Sequence, residues 1–237
     1  MKAIILAAGV GKRLRSVTDS PKCLLEIKGK SLIQRYLEAL QEVGIKKVVI
    51  VVGYKKEKVI DAVGKISFSG RVNFIENPEY ERGSILSLWK ARDELNEEIV
   101  LMDGDVYFEQ EVLKKLVESS FKNCLILDTT SENRGEEVMA GVRDGKIIAL
   151  ERGLKGDFDI SGEWVGFMKM SKNATVYLKR ILKAEIELQE YEKGYEDVLP
   201  ELFKQVNFNY ELVDGLRWIE IDFPEDVKKA NIQNDNK

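Results

Sequence analysis

The pattern of apolar and polar positions changes period repeatedly along the chain, from runs that suit buried strands to stripes that suit helices. Lys2 to Ala7 is almost continuously apolar, as a strand covered on both faces must be. After a loop, Leu32, Ile33, Tyr36, Leu37 and Leu40 fall on one helical stripe, with Ser31 placed to cap it and Gly44 to close it. Lys47 to Gly53 predicts a second buried strand, Lys56 to Val63 a short helix, and Val72 to Glu76 a third strand. The polar segment Asn77 to Gly83 follows. Ser84 to Leu95 predicts a helix, and Glu98 to Met102 a fourth strand that runs into Asp103-Gly104-Asp105. Alternation of this kind predicts an α/β fold with a doubly wound, mostly parallel, Rossmann-like sheet.

The second half mixes its elements and predicts an α+β elaboration of that sheet. Val138 to Arg143 and Lys146 to Arg152 flank Asp144-Gly145, a strong hairpin signal. A strand is expected near Glu163 to Met170, then helices at about Asn173 to Glu192 and Glu196 to Gln205. Phe208 to Val213 and Arg217 to Asp222 read as a hairpin-like pair, and a last helix starts at Pro224. Fraying is expected from Asn234 to Lys237. Neither a low-complexity linker nor an internal repeat interrupts the 237 residues, so one continuous domain is expected.

Composition narrows the chemistry. Charged residues at 33%, hydrophobic ones at 44% and only 4 Pro exclude a collagenous or disordered chain. There is no histidine, which removes His-based triads and His-ligated metals. Cys23 and Cys124 cannot build a disulfide framework, and their spacing matches no zinc site. A net charge of −4 argues against nucleic acid as a partner. No run approaches the ~18 apolar residues of a membrane span, and the apolar opening gives way to a Gly/basic loop where a signal peptide would continue. The expectation is a cytoplasmic protein without a membrane partner. Plentiful Lys and Glu with scarce Gln resemble hyperthermophile composition, so heat adaptation is expected as well.

The candidate chemistry begins directly after the first strand. Leu6-Ala7-Ala8-Gly9-Val10-Gly11-Lys12-Arg13-Leu14 offers small residues whose backbone N–H groups can approach a phosphate. A P-loop would need Gly at position 6 and Ser or Thr after Gly11-Lys12, where Leu6 and Arg13 stand. A dinucleotide loop would need Gly or Ala at position 14, which is Leu14. Pro21 keeps the residue before it extended, so Ser20-Pro21-Lys22 can carry Lys22 back toward the glycines. Arg13 and Lys22 beside such a loop suit a polyphosphate whose charge grows during transfer.

LAAGVGKRL followed by SPKCLLEIKGKSLI resembles the signature of sugar-phosphate nucleotidyltransferases, LAAGxGxRL then PKxLxxxxGkxLI. The resemblance implies that Leu6, Ala7, Ala8, Gly9 and Gly11 hold the nucleoside triphosphate, while Arg13 and Lys22 stabilise its α-phosphate during attack. It implies Mg²⁺ on Asp105, from an xGDxxF-like segment, and on Asp222, with Glu220 in support. Glu220 and Asp222 share one strand face at spacing two. Asp103 falls on the nucleotide side; for Asp103 and Glu220 a strand-end cap or ion pair is the other reading.

Asn77 to Trp89 resembles the branch that makes CDP-alcohols, and Gly53-Tyr54 its base-proximal GY. This implies that Gly53, Tyr54, Gly83, Ser84 and Ser87 approach the base, whereas Trp89 reads as helix packing. On the acceptor side, Asp128, Glu151, Lys155, Glu163 and Trp164 are candidates. A quaternary ammonium would want aromatic faces and a carboxylate, a polyol phosphate convergent hydrogen-bonding groups, and spacing does not choose between them. Residues 1–130 would then be the nucleotide-binding core, and 131–237 would bind the acceptor and complete the metal site.

The expected reaction is transfer of CMP from CTP to an alcohol phosphate, with inositol-1-phosphate first, phosphocholine or 2-aminoethylphosphonate second and a hexose-1-phosphate third. A monomer or homodimer is expected. A non-catalytic nucleotide sensor on the same fold is the alternative of another class.

Overall fold

In the computed structural model, which describes residues 1–131 and 135–232, the chain opens with β1 (Lys2–Ala7) at the centre of the sheet. There follow β2 (Glu26–Ile27), β3 (Lys30–Ser31), α1 (Leu32–Glu42), β4 (Lys47–Val52), α2 (Lys56–Val63), β5 (Arg71–Glu76), α3 (Ser84–Lys90) and β6 (Ile99–Asp103). Next come β7 (Val106–Phe108), α4 (Gln110–Glu118), β8 (Cys124–Asp128), β9 (Val138–Arg143), β10 (Lys146–Arg152) and β11 (Ile160–Met170). The chain continues through α5 (Lys172–Glu187), α6 (Leu199–Gln205), β12 (Asn209–Leu212), β13 (Trp218–Glu220) and α7 (Pro224–Ile232). The tail from Asn234 lies outside the described residues. Among those described, no helix is long and apolar enough to cross a membrane.

The sheet runs in the order β10-β9-β11-β6-β1-β4-β5, with β8 joined to β11 and β12 to β8. β1 is parallel to both β4 and β6, β4 is parallel to β5, and β11 is antiparallel to β6. The chain thus winds outward from β1 through β4 and β5, then returns to place β6 on the other side. Between β1 and β6 the strand order reverses, and α/β sheets bind ligands outside the carboxyl ends of such a pair.

Alternation along β1 feeds two cores. Ala3, Ile5 and Ala7 face a cluster built with α1, α2 and α4; Ile4 faces one built with α3, α5 and α6. α1 forms where its stripe predicts. Its Ser31 cap accepts a hydrogen bond from the Gln34 N–H, and Gly44 follows its end at φ 76°. Each fully buried Leu or Ile contributes ~1.5–3 kcal/mol. Asp144 and Gly145 both take positive φ, so β9 and β10 form the expected hairpin.

Phe208 to Val213 and Arg217 to Asp222 do not form a hairpin. β12 runs parallel to β8, whereas β13 runs antiparallel to β7. Their apolar side chains belong to opposite cores, with Tyr210 and Leu212 on one and Trp218 and Ile219 on the other. The two strands therefore diverge after the turn at Gly215. This divergence is what carries Asp222 to the carboxyl end of β1. The helix expected to reach Glu192 ends at Glu187, and the one expected to reach Leu95 ends at Lys90 before a short 3₁₀ turn, Arg92–Glu94.

Candidate active site

The loop after β1 is shaped by close approach. Gly11 has φ 62°, and a Cβ there would lie 2.8 Å from Lys22 Cγ, so glycine lets the lysine stem cross the loop. Gly104 follows β6 and donates its N–H to the Leu6 carbonyl at 3.0 Å, binding the two strand ends together. A cavity of about 310 Å³ opens beside them, lined by the Leu6–Gly11 loop, Arg13, Lys22, Tyr80, Asp105 and Asp222.

Four of the expected side chains converge here from distant parts of the sequence. Lys22 Nζ donates to Asp105 Oδ2 at 3.0 Å and to Asp222. Arg13 Nη1 lies 3.4 Å from Asp222 Oδ2. Burial pulls the Lys22 ammonium down, but Asp105 and Asp222 together outweigh it and hold its pKa above the usual lysine value.

Carboxylate oxygens of Asp105, Glu220 and Asp222 all lie within 4.8 Å of one another. Three hard oxygen donors, with no nitrogen or sulfur among them, fit Mg²⁺, and the Lys22 ammonium set between two of them marks a place that favours a cation. Glu220 is exposed at the surface of the cavity, although protein atoms gather around its carboxyl. That crowding, then Asp105 and Asp222, pushes its carboxyl up to about 8 against the opposing pull of Lys22.

The strand-end geometry is stapled from below. The Tyr36 hydroxyl, fully buried, donates to the Asp103 carbonyl at 2.6 Å and accepts from the Val106 N–H at 3.0 Å, fixing the turn that presents Asp105. The Asp103 carboxylate accepts from the Tyr195 hydroxyl at 2.9 Å. Burial, with Asp105 next, holds the Asp103 carboxyl well above the usual range.

A second cavity of about 230 Å³ adjoins the first. It brings together Ala8, Ser84, Ser87, Asp103 and Trp164 from the expected set, and adds Arg152, Tyr195 and Glu196. Ser84 Oγ accepts from the Tyr195 N–H at 2.9 Å, and Ser87 Oγ accepts from buried Asn77 at 3.0 Å. Trp164 is buried, its indole N–H spent on the Phe167 carbonyl. A third cavity of about 550 Å³ takes in Asp128, Glu163, Glu220 and Asp222, with Trp218 and Phe223. Within it Asp128 is already engaged, by the Trp218 indole N–H at 2.8 Å and by Thr130.

Other expected residues stand apart from these cavities. Gly53 packs under Tyr80, where a Cβ would lie 2.5 Å from Tyr80 Cβ. Tyr54 turns outward: its hydroxyl donates to Asp19 at 3.0 Å and its ring meets Tyr80 edge-on. Gly83 faces the 191–193 segment and donates its N–H to the Tyr191 carbonyl at 2.9 Å. Trp89 packs on the second core, as expected. Glu151 and Lys155 are exposed and line none of the three cavities. Arg152 does so instead, paired with Glu196 at 3.1 Å. The register of β10 shifts between Ile147 and Ala149, and the shift changes which face each later residue meets. Simple alternation does not reveal it.

A family model described as MobA-like NTP transferase domain matches residues 3–200. The chain is 32% identical over 232 residues to the "Bifunctional IPC transferase and DIPP synthase" of Aquifex aeolicus (strain VF5), covering 96% of this chain and 50% of that protein. It thus spans about half the length of that relative and 49% of the protein with the same description in Thermococcus kodakarensis. It is 25% identical to the CTP:phosphoglutamine cytidylyltransferase of Campylobacter jejuni, covering 96% of this chain and 98% of that one. Among solved structures, the CTP:phosphocholine cytidylyltransferase of Streptococcus pneumoniae shares the fold with a TM-score of 0.78, 24% identity and 97% coverage of both chains. The inositol-1-phosphate CTP transferase of T. maritima does so at 0.75 and 24%, covering 97% of this chain and 95% of that one.

Proposed function

The chain belongs to the MobA-like NTP transferase family, and on that premise we propose that it transfers CMP from CTP to a small alcohol phosphate. An oxygen of the acceptor phosphate attacks the α-phosphorus in line. The new P–O bond forms as the bond to pyrophosphate breaks, and pyrophosphate leaves with the electron pair. The observation that carries this reading is the convergence of Arg13, Lys22, Asp105 and Asp222 on one cavity at the sheet's switch point. Arg13 and Lys22 bring two positive charges to phosphate oxygens whose charge rises as attack proceeds. The loop from Leu6 to Gly11 orients the triphosphate, so positioning supplies much of the remaining rate. Asp105 and Asp222, with Glu220, would hold Mg²⁺, which when bound neutralises phosphate charge. No side chain needs to act as a nucleophile, in keeping with a chain that lacks histidine.

Inositol-1-phosphate is the first acceptor: the CDP-alcohol branch that the motifs resemble includes inositol-phosphate cytidylyltransferases, which in thermophiles feed synthesis of inositol-based solutes and lipids, and the Lys- and Glu-rich composition resembles that of heat-adapted proteins. Phosphocholine or 2-aminoethylphosphonate is the second, favoured by the Trp218 and Phe223 rings and the carboxylates of Glu136 and Glu163 in the third cavity. The test is pyrophosphate release from each of four nucleoside triphosphates with inositol-1-phosphate, phosphocholine, 2-aminoethylphosphonate and glucose-1-phosphate. Release with CTP and one of the first three is expected. Release only with another nucleotide overturns the choice of CTP. CTP binding without release from any pair identifies a sensor instead.

A further inference from the structure

Phe223 is a large apolar side chain left 43% exposed at the rim of the site, between Asp222 and the proline that starts α7. The Arg13 guanidinium lies 4.8 Å from its ring centroid, within the distance at which a cation is drawn to an aromatic face. Arg13 is itself 56% exposed, and its carboxylate partner among the described residues is Asp222, at a long 3.4 Å. It projects from the short 3₁₀ turn Lys12–Leu14. An arginine so loosely held would sample many rotamers. The ring, in contrast, sits on a fixed turn: the Asp226 carboxylate accepts from the Phe223 N–H at 2.8 Å and from the Asp222 N–H at 3.2 Å.

We propose that Phe223 is a positioning residue, an aromatic shelf that keeps the Arg13 guanidinium aimed at the triphosphate. The turn that delivers Asp222 thereby also orients the cation contributed by the opposite end of the sequence. The proposal rests on the role given above to Arg13 in gripping the nucleotide. On the nucleotide side Phe223 acts through Arg13, separately from the part its ring would take on the acceptor side in the third cavity.

The test is a double-mutant cycle of Phe223→Ala and Arg13→Ala in the full chain with Mg²⁺. Calorimetry reads the affinity for CTP, ATP, GTP and UTP, and kcat and KM are read for whichever pair turns over. Phe223→Ala is expected to weaken nucleotide binding about two- to fivefold, the range of an exposed cation–π pair. Phe223→Tyr and Phe223→Trp restore it, and Phe223→Leu, which keeps apolar bulk without a ring, does not. In the Arg13→Ala background, Phe223→Ala costs nothing more. An equal loss in both backgrounds, or full rescue by Leu, overturns the shelf. Turnover with no acceptor defeats the proposed reaction while the binding cycle still decides the shelf. Failure of the parent protein to bind any of the four nucleotides defeats both.

Discussion

Lys22 stands where a lysine is expensive to hold, mostly enclosed and between two carboxylates, and it forms a wall of the cavity that the triphosphate would occupy. Taking it away would leave Asp105 and Asp222 facing each other without a cation and would remove charge stabilisation from the transition state. Lys22→Ala and Asp105→Ala are each expected to cut turnover by ~10²-fold or more, the scale seen when a preorganised electrostatic partner is lost. Steady-state pyrophosphate release at saturating CTP checks this, and normal turnover removes the residue from the mechanism. Lys22 and Asp105 were singled out by likeness to the nucleotidyltransferase signature, and the structure brings both to the wall of one cavity. Gly11 has to yield to the Lys22 stem, and Asp105 has to follow a turn stapled by Tyr36. Tyr54 was not legible in the same way. Its ring direction depends on Asp19, a partner 35 positions away that no local spacing encodes.

At the level of elements, the departures from expectation gather at irregular strands. The shifted register of β10 brings Arg152 to the cavities in place of Glu151. β12 and β13 part company because their apolar faces serve different cores. A second irregularity interrupts the β11–β8 register between Trp164 and Met168, around Gly166 at φ 84°. A Cβ on Gly166 would lie 2.6 Å from Asp103 Oδ2, so this glycine leaves room for a carboxylate at the sheet's switch point. Gly153 shares the left-handed conformation, at φ 64°, with open space around it. Gly153→Ala should therefore lose only the backbone penalty, about 1 kcal/mol. Gly166→Ala should lose about 2–3 kcal/mol, since Asp103 must also move out of its bond with Tyr195. Thermal melts would place the Gly166→Ala midpoint about 4–12 °C below the parent. Equal shifts for the two variants would show that Asp103 is not held by the absence of a side chain at 166.

For the molecule as a whole, the parallel strands β1, β4 and β6 were legible as apolar runs set between helical stripes, and β5 as a shorter mixed segment at the sheet's edge. How the second half closes the site was not, because β7, β8 and β13 owe their partners to long-range packing. The same scale decides whether the composition reflects heat adaptation. Lys2, nearly buried, pairs with Glu94 at 2.5 Å and Glu97 at 3.3 Å. Glu97 also meets Lys47 at 3.5 Å, and Lys179 of α5 meets Asp93 at 2.9 Å. Ionic contacts thus tie β1, β4 and α5 to the one segment that leads into β6. Isolated exposed pairs contribute little at room temperature, whereas linked ones gain as the cost of dehydrating charge falls with heating. The thermal midpoint is accordingly expected above ~65 °C, beyond the usual mesophilic range. At 1 M salt the screening length shrinks to about 3 Å, so the midpoint should fall by a few degrees if these pairs matter. A midpoint in the mesophilic range, unmoved by salt, would mean that the Lys and Glu surplus stabilises nothing, and with it would go the compositional reason for placing inositol-1-phosphate ahead of a cationic acceptor.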